Sequence, residues 1–212
     1  PNTGGMGSYS MPDHRMPFTD ESDYRAAAEM NEKTLKALAS KTGSPYRGIL
    51  YGGFMATADG IRLIEYNARF GDPECMNLLT LFEGDFLAAV RGMATGTLDP
   101  SSISFRKEAS VCKYLVPEGY TYSPKKLFPI DLSAVADCRD LYLGSVDEKD
   151  GQLLAAGSRT LAFVGTGPTL AEAEAAAEAL AVKVPGPLFH RPDIGTSELV
   201  QKRIDLIKSL RG

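Results

Sequence analysis

The stretch that most constrains this 212-residue chain is Leu63-Ile64-Glu65-Tyr66-Asn67-Ala68-Arg69-Phe70-Gly71-Asp72-Pro73-Glu74. Leu63, Ile64 and Tyr66, with Ile49-Leu50-Tyr51 ahead of them, have the composition of strands. Residues two apart on a strand share a face, so Glu65 and Asn67 are expected to project to the same side. A carboxylate beside an amide carbonyl suits a hard cation such as Mg²⁺, which keeps waters and takes its remaining ligands from substrate phosphates. Arg69 follows at the same step and can meet phosphate charge bidentately. Asp72-Pro73 is predicted to restart the chain as a helix, Asp as N-cap and Pro at the first helical position. The same residues also fit an ordinary polar sheet edge, and the spacing alone leaves both readings open.

Composition narrows the partners. With 43% hydrophobic and 24% charged residues, the chain can bury one large core or two modest ones. A net charge of -4 and a pI near 5.3 argue against a nucleic-acid partner, and the pairs Arg106-Lys107 and Lys125-Lys126 read as solvated surface. No apolar run reaches membrane-spanning length and no charged-then-apolar leader opens the sequence, so a soluble, cytoplasmic protein without a membrane partner is expected. Cys75, Cys112 and Cys138 are too widely spaced for a metal site or a disulfide framework and are expected to be reduced. His14 and His190 stand far apart with no nucleophile beside either, which argues against histidine-driven hydrolysis.

The chain opens on Pro1-Asn2-Thr3-Gly4-Gly5-Met6-Gly7, without an initiator Met and without a strand to launch the glycine-rich segment, as expected of a piece of a longer protein. Its glycines permit close backbone approach to a ligand, yet it is neither a Walker loop nor Gly-x-Gly-x-x-Gly, so flexible turn and binding loop are both open. A helix is predicted over 19–42, capped by Thr19 or Ser22, with Tyr24, Ala27, Ala28, Asn31, Leu35 and Leu38 on its core face. Strands over 47–57 and 61–67 are joined by Ala58-Asp59-Gly60. The first contains no acid, and Asp59 lies in the turn. Helices over 73–82 and 85–95 follow, with Leu78, Leu79, Leu81, Phe86, Leu87, Val90 and Met93 as core candidates. Asp99-Pro100-Ser101-Ser102 reads as a linker. After it, strands are predicted over 109–116, 140–144, 152–156 and 160–164, with a turn over 147–151. A capping box at Thr169 and Glu172 opens a helix to Val182, and a last helix runs over 197–210.

Glu65-x-Asn67-x-Arg69-x-Gly71-Asp72-Pro73-Glu74 resembles the metal-binding signature of the ATP-grasp ligases, in the form found in the phosphoribosylamine-glycine ligase family. Residues 1–7 are similar to a second signature of that family. Gly157-Ser158-Arg159-Thr160-Leu161 through Gly167, with Phe189-His190-Arg191-Pro192-Asp193-Ile194-Gly195, resembles its C-terminal domain. The resemblance covers essentially the whole chain and departs at Cys75-Met76, where the family usually has Thr-Gln. It implies an α+β architecture: the C-terminal half of an ATP-grasp fold, an antiparallel sheet with helices, over 1–105, then a small α+β domain over 106–212. It further implies Mg²⁺ or Mn²⁺ on Glu65 and Asn67, Arg69 at the reacting phosphoryl group, and Asn2, Thr3, Gly4, Gly5, Gly7 and Asp72 on the substrate side. Arg159 is either a surface residue after a hairpin or the partner of the substrate's 5-phosphate, as basic residues are in related ligases. The implied reaction joins glycine to phosphoribosylamine at the expense of ATP, through an acyl phosphate and without a side-chain nucleophile, in purine biosynthesis. The implied partners are those three substrates and an N-terminal part of the same enzyme, without which the chain is expected to be inactive. Another ATP-grasp carboxylate-amine ligase, or a non-catalytic substrate-binding fragment, is the alternative.

Overall fold

A computed structural model describes residues 4–212. In chain order the elements are β1 (Gly7–Ser10), α1 (Glu21–Thr42), β2 (Tyr51–Thr57), β3 (Gly60–Asn67), α2 (Glu74–Leu81), β4 (Phe82–Glu83), α3 (Phe86–Thr95), β5 (Ser104–Phe105), β6 (Ala109–Pro117), β7 (Phe128–Pro129), β8 (Leu141–Leu143), β9 (Val146–Lys149), β10 (Gln152–Ala155), β11 (Leu161–Gly167), α4 (Leu170–Ala181), β12 (Leu188–Phe189) and α5 (Ser197–Arg211). Helices with antiparallel sheets give the α+β class expected. The described chain divides into two compact units that alternate along the sequence: residues 4–14, 72–81 and 107–199 form the first, and residues 15–71, 82–106 and 200–212 the second. A single cut near residue 105 therefore follows the order of the motifs but not the division into units. The glycine-rich segment belongs with the strands that follow residue 106.

The first unit is built on β6, whose nine residues are all buried. The sheet order is β1-β6-β11-β8, with β12 also on β6 and every pairing antiparallel. Successive side chains of a strand point to opposite faces, and here both faces are covered. Cys112 and Tyr114 pack with Ala162, Val164 and Met76 of α2. Leu115 packs on the other face with Leu161, Phe163 and Ala181 of α4. Helix α4 lies close because Gly165 lacks a side chain: a Cβ there would stand 2.1 Å from the Ala173 carbonyl oxygen and 2.5 Å from the Ala177 nitrogen. The predicted capping box is formed by Thr169 and Glu172. Residues 147–151 are not simply a turn. β9 occupies Val146–Lys149 and pairs with β10 across Asp150-Gly151, whose φ values of 52° and 76° match the left-handed two-residue hairpins that favour Asp-Gly. β8 pairs with β11 rather than β10, which lies in a separate three-stranded sheet, β7-β10-β9.

The second unit contains the β2–β3 hairpin, α1, α3, the short β4–β5 pair and most of α5. The cap of α1 is Asp20, not Thr19 or Ser22, in a reciprocal box with Asp23. Asp23 is the buried residue of that helix, at 4% exposure, because Arg211 donates from Nη1 and Nη2 to its two carboxylate oxygens at 2.8 and 2.9 Å. Arg211 Nε also donates to the Thr57 carbonyl. β2 begins at Tyr51 rather than near residue 47, with Gly48 at φ 134° just ahead of it. The chain 99–102 is a capped 3₁₀ turn, and β5 beyond it returns to pair with β4, so these residues are not a linker between units.

Several core expectations are overturned. Leu78 and Leu79 are exposed, while Leu81 is buried as expected and α2 also buries Met76 and Asn77. Asn77 takes an interior place because its amide donates to Ser110 Oγ at 2.9 Å and accepts from Ser8 Oγ. On α3, Phe86, Leu87 and Val90 are exposed and Ala89 is the buried residue. Periodicity identified an apolar face there, but whether a face is covered depends on neighbours that periodicity does not supply.

Candidate active site

The expected site residues fall into two groups, one in each unit. In the second unit, Glu65 and Asn67 lie at the end of β3, and the Asn67 amide nitrogen donates to Glu65 Oε1 at 3.0 Å. The two side chains thus share a face as the spacing required. The pairing register shifts beside them: Glu65 opposes Gly53 while Leu63 opposes Phe54, so Ile64 is an extra residue on β3. Such bulges re-aim neighbouring side chains, and this one sits directly before Glu65. Glu65 is exposed. With the Asn67 nitrogen turned to one carboxylate oxygen, the Asn67 carbonyl oxygen and the other Glu65 oxygen remain as hard donors. Two such oxygens fit a Mg²⁺-type ion whose other positions go to water and phosphate. Arg69 lies beyond the strand, not on it, and its Nη1 donates to the Phe70 carbonyl at 2.6 Å.

In the first unit, Asp72 and Arg159 form the centre. Arg159 Nη2 donates to Asp72 Oδ2 at 2.9 Å, while its Nη1 reaches Asp72 Oδ1 at 3.2 Å, the Asp72 carbonyl at 2.9 Å and the Gly5 carbonyl at 3.1 Å. The guanidinium lies over the Tyr114 ring, 4.9 Å from its centroid. It therefore points inward and is not a free surface charge. Tyr114 Oη donates to Asp72 Oδ1 at 3.0 Å. Burial, and then the negative charge of Asp72, push the Tyr114 phenol well above its ordinary range, so it stays a donor at neutral pH. The Asp72 carboxylate is engaged by Tyr114 and Arg159 and does not serve as the helix cap predicted for it. α2 starts at Glu74, after a cis Asp72-Pro73 peptide.

The backbone at positions 4 and 5 comes close to its neighbours, most tightly at Gly5. A Cβ on Gly4 would lie 3.1 Å from Arg159 Nε and 3.4 Å from Tyr120 Oη, and one on Gly5 would lie 2.7 Å from Pro73 Cδ. Gly7 begins β1. Asn2 and Thr3 lie outside the described residues. Cys75 offers no nucleophile: partial burial and the carboxylates of Asp72 and Glu74 raise its thiol above the ordinary value, and burial does the same to Cys112. Among the described residues, no three His, Cys, Asp or Glu side chains converge as a metal cluster, and no helix is long and apolar enough to cross a membrane.

Two family models match this chain: the ATP-grasp (A) domain of phosphoribosylglycinamide synthetase over residues 1–75, and the C domain of the same protein over residues 110–197. The chain belongs to the phosphoribosylglycinamide synthetase family. Relatives named phosphoribosylamine-glycine ligase include one from Methanoregula boonei, 53% identical over 99% of this chain and 49% of its own, and one from Methanocaldococcus jannaschii, 46% identical over 99% of this chain and 48% of its own. The crystal structure of the phosphoribosylamine-glycine ligase of Thermotoga maritima matches with a TM-score of 0.75 and 35% identity, covering 91% of this chain and 47% of that one. The chain thus spans about half the length of the curated relatives it matches. The ATP-grasp match ends at residue 75, one residue past Glu74, so it takes in Glu65, Asn67, Arg69 and Asp72 together.

Sequence reasoning missed Tyr114 and Tyr120. The signal for Tyr114 was present: Lys113-Tyr114 interrupts an apolar strand, and polar groups placed in such a run need partners. Tyr120 left no comparable signal, since it lies in an irregular loop.

Proposed function

We propose that this chain forms the metal- and substrate-side part of a phosphoribosylamine-glycine ligase, which joins glycine to phosphoribosylamine with cleavage of ATP to ADP and phosphate. The observation that carries the reading is the shared face of Glu65 and Asn67 beside the β3 bulge, within the region matched by the ATP-grasp model. Glu65 and Asn67 would hold a divalent ion, Mg²⁺ or Mn²⁺. When bound, that ion supplies charge neutralisation among the ATP phosphates. The glycine carboxylate attacks the γ-phosphorus and ADP leaves, giving glycyl phosphate. The amine of phosphoribosylamine then attacks the acyl carbon, phosphate leaves, and the amine proton is lost to solvent. Positioning and electrostatics suffice for both steps, in keeping with the raised thiols of Cys75 and Cys112. Arg69 stabilises the transferring phosphoryl group. Asn2, Thr3, Gly4, Gly5, Gly7, Asp72 and Arg159 line the substrate side, where Arg159, anchored on Asp72, offers its remaining N-H groups to the sugar's 5-phosphate. The setting is cytoplasmic purine biosynthesis.

Extended to the full length of its relatives, the polypeptide is expected to form ADP, phosphate and glycinamide ribonucleotide in equal amounts, only when all three substrates are present. This chain alone is expected to form none. Phosphate release that does not depend on phosphoribosylamine would instead support another carboxylate-amine ligase. In the full-length enzyme, Arg159→Ala is expected to raise KM for phosphoribosylamine about tenfold or more, the effect of losing one charge-assisted hydrogen bond, with KM for ATP and glycine little changed. An equal rise for all three substrates would show that Arg159 acts only through the fold.

A further inference from the structure

The segment 189–195 contributes no residue to the Glu65–Asn67 pair or to the Asp72–Arg159 centre, yet it is anchored by a lysine with no exposure at all. Lys113 has a side-chain exposure of 0%, and its ammonium donates to Glu174 Oε1 at 2.5 Å, Glu178 Oε2 at 2.6 Å and the Pro192 carbonyl at 3.0 Å. An ammonium has three N-H groups, and each has a defined acceptor here. His190 Nε2 also lies 3.0 Å from both Glu178 carboxylate oxygens. Beyond Pro192, Asp193 is paired with Arg191 through two hydrogen bonds of 3.0 and 2.6 Å, and its carbonyl accepts from Thr196 N at 3.2 Å. The turn held in this way lies on the start of β1. Gly7 is opposite Lys113 in the β1–β6 register, and a Cβ on Gly7 would stand 2.8 Å from Ile194 Cδ1 and 2.3 Å from the Cys112 carbonyl oxygen. A Cβ on Gly195 would stand 2.7 Å from Val111 Cγ2. One residue before Gly7, the Met6 carbonyl accepts from Tyr114 N at 2.9 Å.

We propose that Lys113 is a positioning residue for the ligase reaction: through the Pro192 carbonyl and the Ile194 side chain it fixes β1, and with it Gly4 and Gly5, against Asp72 and Arg159. The proposal rests on the substrate-side reading under Proposed function. Filling the interior does not by itself call for this cluster, since replacing a buried ion pair with apolar residues of equal volume is often neutral or stabilising. What the cluster adds is direction: two hydrogen bonds hold the ammonium on α4 and the third ties it to the turn at the Pro192 carbonyl, and the turn in its place confines the base of the glycine-rich segment.

The test uses the polypeptide at the full length of its relatives. The triple variant Lys113→Met, Glu174→Gln, Glu178→Gln removes the charges together, so no buried charge is orphaned, while the bond to the Pro192 carbonyl is broken. The expected result is a melting midpoint within a few degrees of the parent, amide exchange at Tyr114 N faster by about tenfold, and KM for phosphoribosylamine raised about tenfold with KM for ATP unchanged. Should the triple variant not fold, Ile194→Ala loosens the same packing from the Gly7 side with Lys113 intact, and the same two changes are expected. Unchanged exchange and unchanged KM in a folded variant overturn the proposal, as does an equal rise in KM for ATP. Faster exchange in a variant of a parent that consumes no phosphoribosylamine overturns the functional reading on which the proposal rests.

Discussion

Glu65→Gln, in the full-length enzyme, is expected to lower the rate of ADP formation at least about a hundredfold at fixed Mg²⁺, the rate equivalent of roughly 3 kcal/mol of forfeited charge stabilisation. The substitution keeps the shape of the side chain and replaces a negative oxygen with a neutral amide. Glu65 is exposed at the end of β3, and the hydrogen bond it accepts from the Asn67 amide is an interaction that the change weakens directly. The melting midpoint should therefore stay close to that of the parent. On the metal role proposed for Glu65, raising Mg²⁺ is expected to recover part of the rate, because both affinity for the ion and the field it provides would be reduced. Asn67→Asp is the informative partner: it adds an oxygen anion at the same place but turns two carboxylates toward each other at a separation now of 3.0 Å, and a shift of the half-saturating Mg²⁺ concentration reports which effect prevails. Parent-like turnover in Glu65→Gln would remove the metal assignment.

Gly165→Ala should lower the stability of the first unit by about 3 kcal/mol, at the upper end of what overpacking ordinarily costs. The added methyl would meet the Ala173 carbonyl oxygen at 2.1 Å, the Ala177 nitrogen at 2.5 Å and the Ala176 Cβ at 3.0 Å. The first two are backbone atoms of α4, so no side-chain rotation relieves the clash and the helix has to lift from β11. For a chain of this size the destabilisation corresponds to a fall of roughly 6–12 °C in melting midpoint, which calorimetry would read directly. Gly151→Ala is the control for space, since nothing lies within 4 Å of a Cβ there. Its cost, from the positive φ of 76° alone, is expected to be about 1 kcal/mol. If the two substitutions cost the same, α4 does not pack closely on β11.

Much of the architecture was legible because local chemistry decided it. The Thr169–Glu172 box stands where residue type alone placed it. The Glu65–Asn67 pair was legible for the same reason, a two-residue step on a strand. What was not legible depends on who faces whom. Asp72 carries a typical capping side chain next to proline, yet an arginine 87 residues away and Tyr114 claim it. Leu78 and Leu79 look like core and are exposed, while Asn77 between them and Met76 is buried because two serines from distant strands satisfy it. β1 carries no strand signal of its own, because a four-residue strand shows itself only through its partner, and that partner lies about a hundred residues further on. Arg159 was legible as a residue of interest from its place after a glycine, but its inward direction was not.

The alternation of the two units along the chain has a consequence for synthesis and dissection. Residue 106 is where the chain passes from the second unit to the first for the last long stretch, yet cutting there would strand β1 and α2 on the wrong side of the break and leave α5 on the other. No single scission yields two self-sufficient pieces. The pairing of Asp23 with Arg211 spans 188 residues, so on the ribosome the buried carboxylate of α1 waits for that whole stretch to emerge before it is neutralised. Interactions of such long reach slow folding, and expression trials that truncate the chain at its motif boundaries should give aggregation rather than independent domains.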